Sequence, residues 1–321
     1  MMRSRRTRLT LAGITLAALL ASVMVRPQHA AAAGSQRPAA RSRQLPIGTV
    51  WTGVAAELKD AAAMPPGSDV WSCHPSTTHP YPVILVHGTF ASAALTWQAL
   101  SPMLANAGYC VYALDYGHTD PGPLYGMAEI RSSAHVLARF VTRVLHSTGA
   151  KQVDIVGHSE GGMMPRYYVR FLGGAPLVHI LVGIAPSNHG TTADGLAALV
   201  RDFEWLGLPT PATLGCIACN EQLAGSSFLT KLNAGGDTVA GPRYVVIESQ
   251  YDEVVTPYTS AWLSGPHVEN IDLQSQCLDD FSDHLGIIYD ANALQDVMNV
   301  LGPDEPGFKP SCVPTPPVIG S

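Results

Sequence analysis

The chain reads as an α/β protein with a mostly parallel central sheet and helices on both faces. Three observations predict this. From Tyr81 onward, short apolar runs alternate with longer stretches of helical pattern. Runs such as "PVILVHG" are apolar without alternation, as a strand buried on both faces is, and end in glycine. At 321 residues and 46% hydrophobic content the chain is long enough for one large core, and no internal repeat divides it.

Residues 1–33 stand outside that core. Basic "MMRSRRTR", apolar "LTLAGITLAALLASVMV" and small-residue "QHAAAAG" follow in the order of a secretory signal peptide. The apolar run of 17 is at the short end for a membrane span, so no stable span is expected. "SRRTRLT" has two arginines in the twin-arginine position, but Arg8 stands where a bulky apolar residue is usual, and the export route stays open. Cleavage near Ala33 would remove five arginines and no acid, moving the formal charge from −6 to −11. A chain that acidic is no partner for nucleic acid and has no basic patch for anionic lipid.

Residues 34–68 read as a flexible leader and approach segment, with polar, Pro-containing "SQRPAARSRQLP" at its start. Residues 69–302 form the folded domain and 303–321 a Pro-rich tail. Within the domain "PVILVHG" is a strand, 95–107 a helix, "YCVYALDYG" a strand, 127–147 a helix and "VDIVGHS" a strand. Residues 160–172 read as a helix, "LVHILVGIAP" and "RYVVIES" as strands, and "HVENIDLQ" as a weaker one. Ile287, Ile288, Ala291, Leu294, Met298 and Leu301 mark one face of a last helix. Active residues of such sheets lie beyond the strands' carboxyl ends. One interval breaks the rhythm: 56 residues, Ser187 to Pro242, separate two strands. Leu196, Leu199, Val200, Phe203 and Leu206 form an apolar stripe within it, either a helix packed on the core or a lid or cap over the site (187–242).

Six cysteines in an exported chain imply three disulfides, with 15 pairings available. Cys216 with Cys219 closes a small local loop, Cys277 with Cys312 staples the tail, and Cys73 is left with Cys110. Zinc is the competing reading of "CIAC", but no second ligand pair lies near, and His74 and His79 are spaced too loosely for a metal pair. No metal and no cofactor is expected. No Walker loop, H-E-x-x-H or dinucleotide fingerprint is present.

"GHSEG" matches G-x-S-x-G, a weak signal alone and a strong one between the strand "VDIV" and the helix "GGMMPRYYVRFL". A sharp strand-to-helix turn there lifts the Ser159 hydroxyl above the sheet, over a helix N-terminus that favours developing negative charge. A serine nucleophile needs a base, and the base an acid to orient it. In the chain order serine, acid, histidine, Asp252 follows the next-to-last strand; Glu253 beside it and Glu248 within the strand are the neighbours to exclude. His284 sits after the last strand, whereas His267 precedes it and falls at the wrong end of the sheet. Asp279, Asp280 and Asp283 in the same loop are expected to face solvent. His87 and His158 belong to strand-end turns and shape the pocket. An oxyanion hole needs two backbone N–H groups: Glu160, after the nucleophile, and Thr89 in "HGTF", with Phe90 as the alternative. The Thr89 hydroxyl is a candidate third donor. A charged Glu160 aimed at the oxyanion would cancel much of the hole, so its side chain is expected to turn away, to be held by hydrogen bonds, or to be protonated.

With these residues placed, the sequence resembles the α/β-hydrolase superfamily and, more narrowly, the secreted bacterial class 2 lipases. The carriers are "DVWSCHPSTTHPYPVILVHGTF", "AGYCVYALDYG", "VDIVGHSEGG", "IAPSNHGTT", "YDEVVTPY" and "DHLGIIYD", in order from 69 to 290. The resemblance implies an α/β-hydrolase fold with Ser159, Asp252 and His284 as the catalytic residues and Thr89 and Glu160 as oxyanion donors. It implies hydrolysis of acylglycerol esters without a cofactor, by a secreted monomer whose substrate lies at a lipid–water interface. The 56-residue interval departs from the smallest, lidless members. Other acyl transfer or polyester hydrolysis on the same residues is the alternative enzyme, and a non-catalytic binding protein on the same scaffold the alternative class.

Overall fold

The computed structural model describes residues 44–118, 124–210, 215–303, 305 and 307–318. The expected signal peptide lies outside them. Among the described residues six strands form one parallel sheet in the order β2-β1-β3-β4-β5-β6. They are β1 (Val83–Val86), β2 (Val111–Leu114), β3 (Val153–His158), β4 (Val178–Ile184), β5 (Arg243–Glu248) and β6 (Val268–Asp272). Each coincides with a strand read from the sequence. The helices of the same residues are α1 (Val50–Asp60), α2 (Ala93–Thr96), α3 (Leu100–Asn106), α4 (Ile130–Thr148), α5 (Glu160–Phe171), α6 (Ala193–Trp205), α7 (Ile217–Glu221), α8 (Ser227–Asn233), α9 (Leu273–Gln276) and α10 (Ala291–Leu301). This is the α/β-hydrolase fold.

Alternate strand residues feed two cores. Ile84, Val86, Tyr112, Leu114, Ile155 and Val246 join α4 and α5 on one face. Val83, Leu85, Val111, Val156, Val182, Val245 and Ile247 join α3 and α10 on the other. The period of two sends neighbours to opposite faces, and both faces are covered, so the strands are apolar in nearly unbroken runs rather than at every second residue. On α4, Ile130, Ala134, Leu137, Val141 and Val144 supply the buried stripe, and Gly149 ends the helix at φ 71°.

The winding positions the site. β1 pairs β2 on one side and β3 on the other, so the chain reverses its direction of travel across the sheet between them. Val86 is level with Gly157, and Gly157 with Gly183. The loops after β1 and β3 therefore leave the same edge side by side, at the switch point where such sheets bind ligands.

Two helical patterns differ from the reading. The 95–107 stretch is α2 and α3, broken around the buried Trp97; Pro102 fits only because it lies in the first turn of the new helix. Ile287 and Ile288 sit in a short 3₁₀ turn, and α10 starts only after Asp290, whose side chain accepts from Ala293 N–H (2.7 Å). Helix α1 falls in the stretch read as a flexible leader and approach segment. It buries only Gly53, Val54 and Glu57, so no apolar stripe marks it.

All three expected disulfides are present: Cys73–Cys110, Cys216–Cys219 and Cys277–Cys312. Among the described residues no helix is long and apolar enough to cross a membrane, and no group of His, Cys, Asp or Glu is arranged to hold a metal ion. The long interval carries α6, α7 and α8. The α6 stripe buries Leu199, Phe203 and Leu206 in a third apolar cluster, with Val54 of α1, Phe90 and Leu285.

Candidate active site

Ser159 stands at the turn from β3 into α5 with φ 54° and ψ −123°, a backbone region that L residues rarely adopt. The turn is held by Ser159 N–H to Ile184 O (2.9 Å) and Gly162 N–H to Ser159 O (2.9 Å). The flanking glycines are sterically required. A Cβ on Gly157 would lie 1.8 Å from Gly161 O, and one on Gly161 2.2 Å from His87 O. The turn thus crosses directly over the end of β1.

His284 is fully buried in the loop after β6, and its Nδ1 lies 2.7 Å from Asp252 Oδ2. A ring nitrogen that close to a carboxylate carries the proton, so Nε2 carries the lone pair. Nε2 is buried with no hydrogen-bond partner among the described residues. Asp252 Oδ1 accepts from Val254 N–H (2.8 Å) and Val255 N–H (2.7 Å) in the turn beyond β5. That turn fixes the carboxylate, which leaves Oδ2 to the histidine.

The two neighbouring glutamates give up their charge. Burial, and then the Asp252 carboxylate, push Glu248 well above the usual range and Glu253 up to about 9. Glu253 Oε2 touches the loop only at His284 N–H (3.3 Å). Glu248 turns to Ser249 N–H (2.9 Å). The geometry distinguishes Asp252 from both.

Of the three aspartates expected in solvent, only Asp279 is exposed. Asp280 is buried, its carboxylate accepting from Ser282 N–H (2.9 Å) and Asn292 Nδ2 (2.9 Å). Asp283 is buried with Oδ1 on Gly286 N–H (2.6 Å). Each satisfies backbone or amide donors that the tight turns around His284 would otherwise orphan.

Ser159, His158 and His284 line one narrow cavity with Thr89, Val50, Leu95, Leu199, Leu206, Leu285 and Ile288. His158 packs against the His284 ring, centroids 4.8 Å apart, and its Nε2 lies 3.0 Å from His284 O. Burial drives the His158 pKa well below its usual value and that of His87 down to about 4. His158 is a neutral wall of the cavity, whereas His87, expected to shape the pocket, is buried outside the lining because its ring packs beneath the loop after β1. His87 itself stacks on Tyr116, centroids 4.4 Å apart.

The loop after β1 turns at Phe90, φ 67°. Phe90 N–H is taken by Tyr125 O (2.9 Å), whereas the N–H groups of Thr89 and Glu160 have no backbone acceptor among the described residues. Of the two candidates on this loop, Thr89 has the free donor.

Glu160 is fully buried. Its Oε2 lies 2.6 Å from Thr89 Oγ1 and 3.3 Å from Gln222 Nε2, and Gln222 Nε2 donates to Thr89 Oγ1 (2.7 Å). Burial pushes its pKa up to about 8. Two of the three expectations for this side chain therefore hold together: hydrogen bonds hold it, and it is mostly protonated at neutral pH. Gln222, at the end of α7, is a member of the site that the sequence reading misses. Nothing local marks it, because only the packing of the long interval brings it to Thr89.

Part of the long interval lines the cavity. Leu199 and Leu206 of α6 and its following residue form one wall, and Val50 of α1 another. Trp51 and Trp205 meet at the surface, centroids 6.0 Å apart, each more than half exposed.

A family model described as "Lipase (class 2)" matches residues 80–295. Triacylglycerol lipases from Pseudarthrobacter phenanthrenivorans and Burkholderia plantarii are each 26% identical over 295 residues. The aligned part is 69% of this chain, 90% of the first relative and 80% of the second. Among solved structures, Aspergillus fumigatus lipase B superposes with a TM-score of 0.56 at 22% identity, covering 75% of this chain; the chain spans 61% of that lipase. The mature form of Bacillus licheniformis lipase BlEst2 gives 0.52 at 16% identity, over 71% of this chain and 94% of its own. At these identities the two structures bear on the fold alone.

Proposed function

The chain belongs to the class 2 lipases and is a carboxylic ester hydrolase; on that footing we propose that it works through an acyl-enzyme on Ser159. The observation that carries this is the strained, buried Ser159 lining one cavity with a histidine whose Nδ1 is 2.7 Å from a carboxylate held by two N–H groups. His284 Nε2 takes the Ser159 proton as Oγ attacks the ester carbonyl, and Asp252 holds the imidazolium that forms. The Thr89 and Glu160 N–H groups receive the oxyanion. The alcohol leaves with the proton from His284, and water then attacks the acyl-enzyme by the same steps. No step requires a metal or cofactor.

The substrate class we infer is acylglycerol esters, since the cavity walls are almost wholly apolar beyond the polar residues at its base. We further propose that 187–242 acts as a lid: Leu199 of α6 and Leu206 just after it form part of the cavity wall, and their neighbours in the chain include the exposed Trp205, which with Trp51 offers apolar surface to a lipid. Three paired disulfides support an exported, extracellular enzyme. A fluorophosphonate probe should label Ser159, and Ser159→Ala should abolish both labelling and p-nitrophenyl ester hydrolysis. Folded protein that resists the probe, or a Ser159→Ala variant that keeps its activity, would overturn the assignment.

A further inference from the structure

We propose that Glu160 acts as a neutral acid that positions the Thr89 hydroxyl, donating its carboxyl proton to Thr89 Oγ1 so that the Thr89 hydrogen is turned to the substrate oxygen as a third oxyanion donor. The inference rests on the Ser159 reading and deepens it. Glu160 is a positioning residue in this scheme, acting through Thr89.

The argument is a count of hydrogens. Ser187 Oγ donates to Gln222 Oε1 (2.8 Å), which fixes the amide with its Nε2 on the Thr89 side. Gln222 Nε2 then donates to Thr89 Oγ1 (2.7 Å). A hydroxyl has one hydrogen and two lone pairs. With Glu160 ionised, the single Thr89 hydrogen is spent on Oε2 at 2.6 Å, and Oγ1 can offer an oxyanion only repulsion. With Glu160 neutral, the acid hydrogen crosses that same 2.6 Å contact in the other direction. Both lone pairs of Oγ1 are then occupied, and the Thr89 hydrogen has neither Gln222 nor Glu160 as acceptor. Thr89 lines the cavity that Ser159 and His284 share, so the developing oxyanion is the acceptor left to it.

The surroundings favour the neutral form. Glu160 Oε1 is buried with no hydrogen-bond partner among the described residues, an arrangement an ionised carboxylate tolerates poorly. The titratable groups that face Glu160 are Tyr116 and Glu221. Tyr116 favours the charged form, less than burial opposes it, and its hydroxyl is donated to His87 O (2.8 Å). Glu221 of α7 adds negative charge, which disfavours a second one. The raised pKa of Glu160, about 8, agrees with the geometry. One buried group thus serves both states of the site: uncharged, it removes the repulsion that a carboxylate beside an oxyanion would create, and it supplies a donor in its place.

The test is the pH profile of kcat between pH 6 and 10 on p-nitrophenyl butyrate, for the full chain and for Glu160→Gln, Thr89→Ser and Thr89→Val. The unaltered protein should lose activity above a midpoint near 8. The plateau beyond it should lie up to ~10²-fold lower, as expected for one lost oxyanion donor and an added charge. Glu160→Gln, whose amide donates at every pH, should remove that alkaline limb. Thr89→Ser should retain it. Thr89→Val should lower kcat by ~10²-fold with KM changed less than about threefold, the split expected for a contact made only in the transition state. A merely structural role would move the melting temperature without moving the limb. A flat profile in the unaltered protein overturns the proposal, and that measurement needs no variant to fold. So does a limb that survives Glu160→Gln, or a Thr89→Val kcat within about threefold of the original. Fluorophosphonate labelling of Ser159 separates the two failures. If labelling succeeds and the profile disagrees, the serine mechanism stands and the role of Glu160 falls. If labelling fails, both fall.

Discussion

Replacing Asp252 by Asn separates the charge of the acid from its architecture. The amide oxygen of the new side chain can keep the two N–H bonds from Val254 and Val255, so the turn survives. The other side-chain atom becomes an N–H donor 2.7 Å from His284 Nδ1. Two donors cannot face each other at that distance, so the imidazole must shift its proton to Nε2. Nε2 then points a hydrogen, not a lone pair, at Ser159. The imidazolium of the transition state also loses its counter-charge. At about 4 Å between charge centres and an effective dielectric near 20, that attraction is about 4 kcal/mol. This alone is about a thousandfold in rate, and the wrong tautomer adds to it, giving a fall in kcat of ~10³–10⁴. The melting temperature should hold or rise, because Glu248 and Glu253 no longer sit beside a carboxylate. The assay is kcat on a soluble p-nitrophenyl ester, with calorimetry on the same preparation and Glu253→Gln as the comparison, expected to lose no more than about tenfold. An Asp252→Asn variant that retains more than about a tenth of kcat, or a Glu253→Gln variant that falls as far, would refute the reasoning.

Stability should fall between pH 7 and 9. Glu160 and Glu253 hold their protons to about 8 and 9 in the folded chain but release them near 4.5 when unfolded, so the stabilisation is complete below 4.5 and is lost as pH rises through the folded values. The limit is roughly 1.4 kcal/mol per pH unit for each group, and Glu160→Gln should flatten the decline; a melting temperature that rises over the interval contradicts the assignment. Converting Cys73 and Cys110 together to Ser releases a crosslink of 37 residues and should lower urea stability by about 4 kcal/mol; a loss under about 1 kcal/mol would assign the bridge no such role. Leu206→Ala removes part of the cavity wall and should raise kcat/KM on long-chain p-nitrophenyl esters relative to the butyrate by several-fold, whereas an unchanged ratio would place the acyl chain elsewhere. Gly157→Ala drives a Cβ into Gly161 O and should cost more than about 3 kcal/mol in thermal or urea unfolding; a variant as stable as the original would show that the turn can move aside.

Much of this architecture is written in local pattern. The strands are legible because burial on both faces leaves them nearly uninterrupted apolar runs, and their carboxyl ends name Ser159, Asp252 and His284 as candidates. Of the disulfide pairs, Cys216–Cys219 is marked by its local spacing, Cys277–Cys312 by the tail it staples, and Cys73–Cys110 only by elimination. Local pattern is silent on whatever depends on distant segments meeting. Helix α1 buries a glycine and a glutamate rather than a stripe, so nothing in its spacing announces it. Gln222 is an ordinary amide until α7 carries it to Thr89. Asp280 and Asp283 look solvent-bound in sequence because charge is usually outside, yet the turns around His284 need acceptors more than the surface needs charge. The direction of the Glu160 carboxyl likewise depends on a partner 62 residues away.

The family match ends at 80 and 295, while the cavity wall overruns the first limit and two of the disulfides run past one limit each. Val50 and Trp51 lie before it, as does Cys73; Cys312, which ties down the chain after α10, lies beyond it. A fragment trimmed to the matched span would keep the reacting groups but leave Cys110 and Cys277 as unpaired thiols and open one side of the acyl wall. For expression, a fragment should therefore reach back past Val50 and forward past Cys312, and be produced where thiols oxidise. For divergence, the same boundary means that selectivity among esters can drift through the flanks while the chemistry of the shared centre stays untouched.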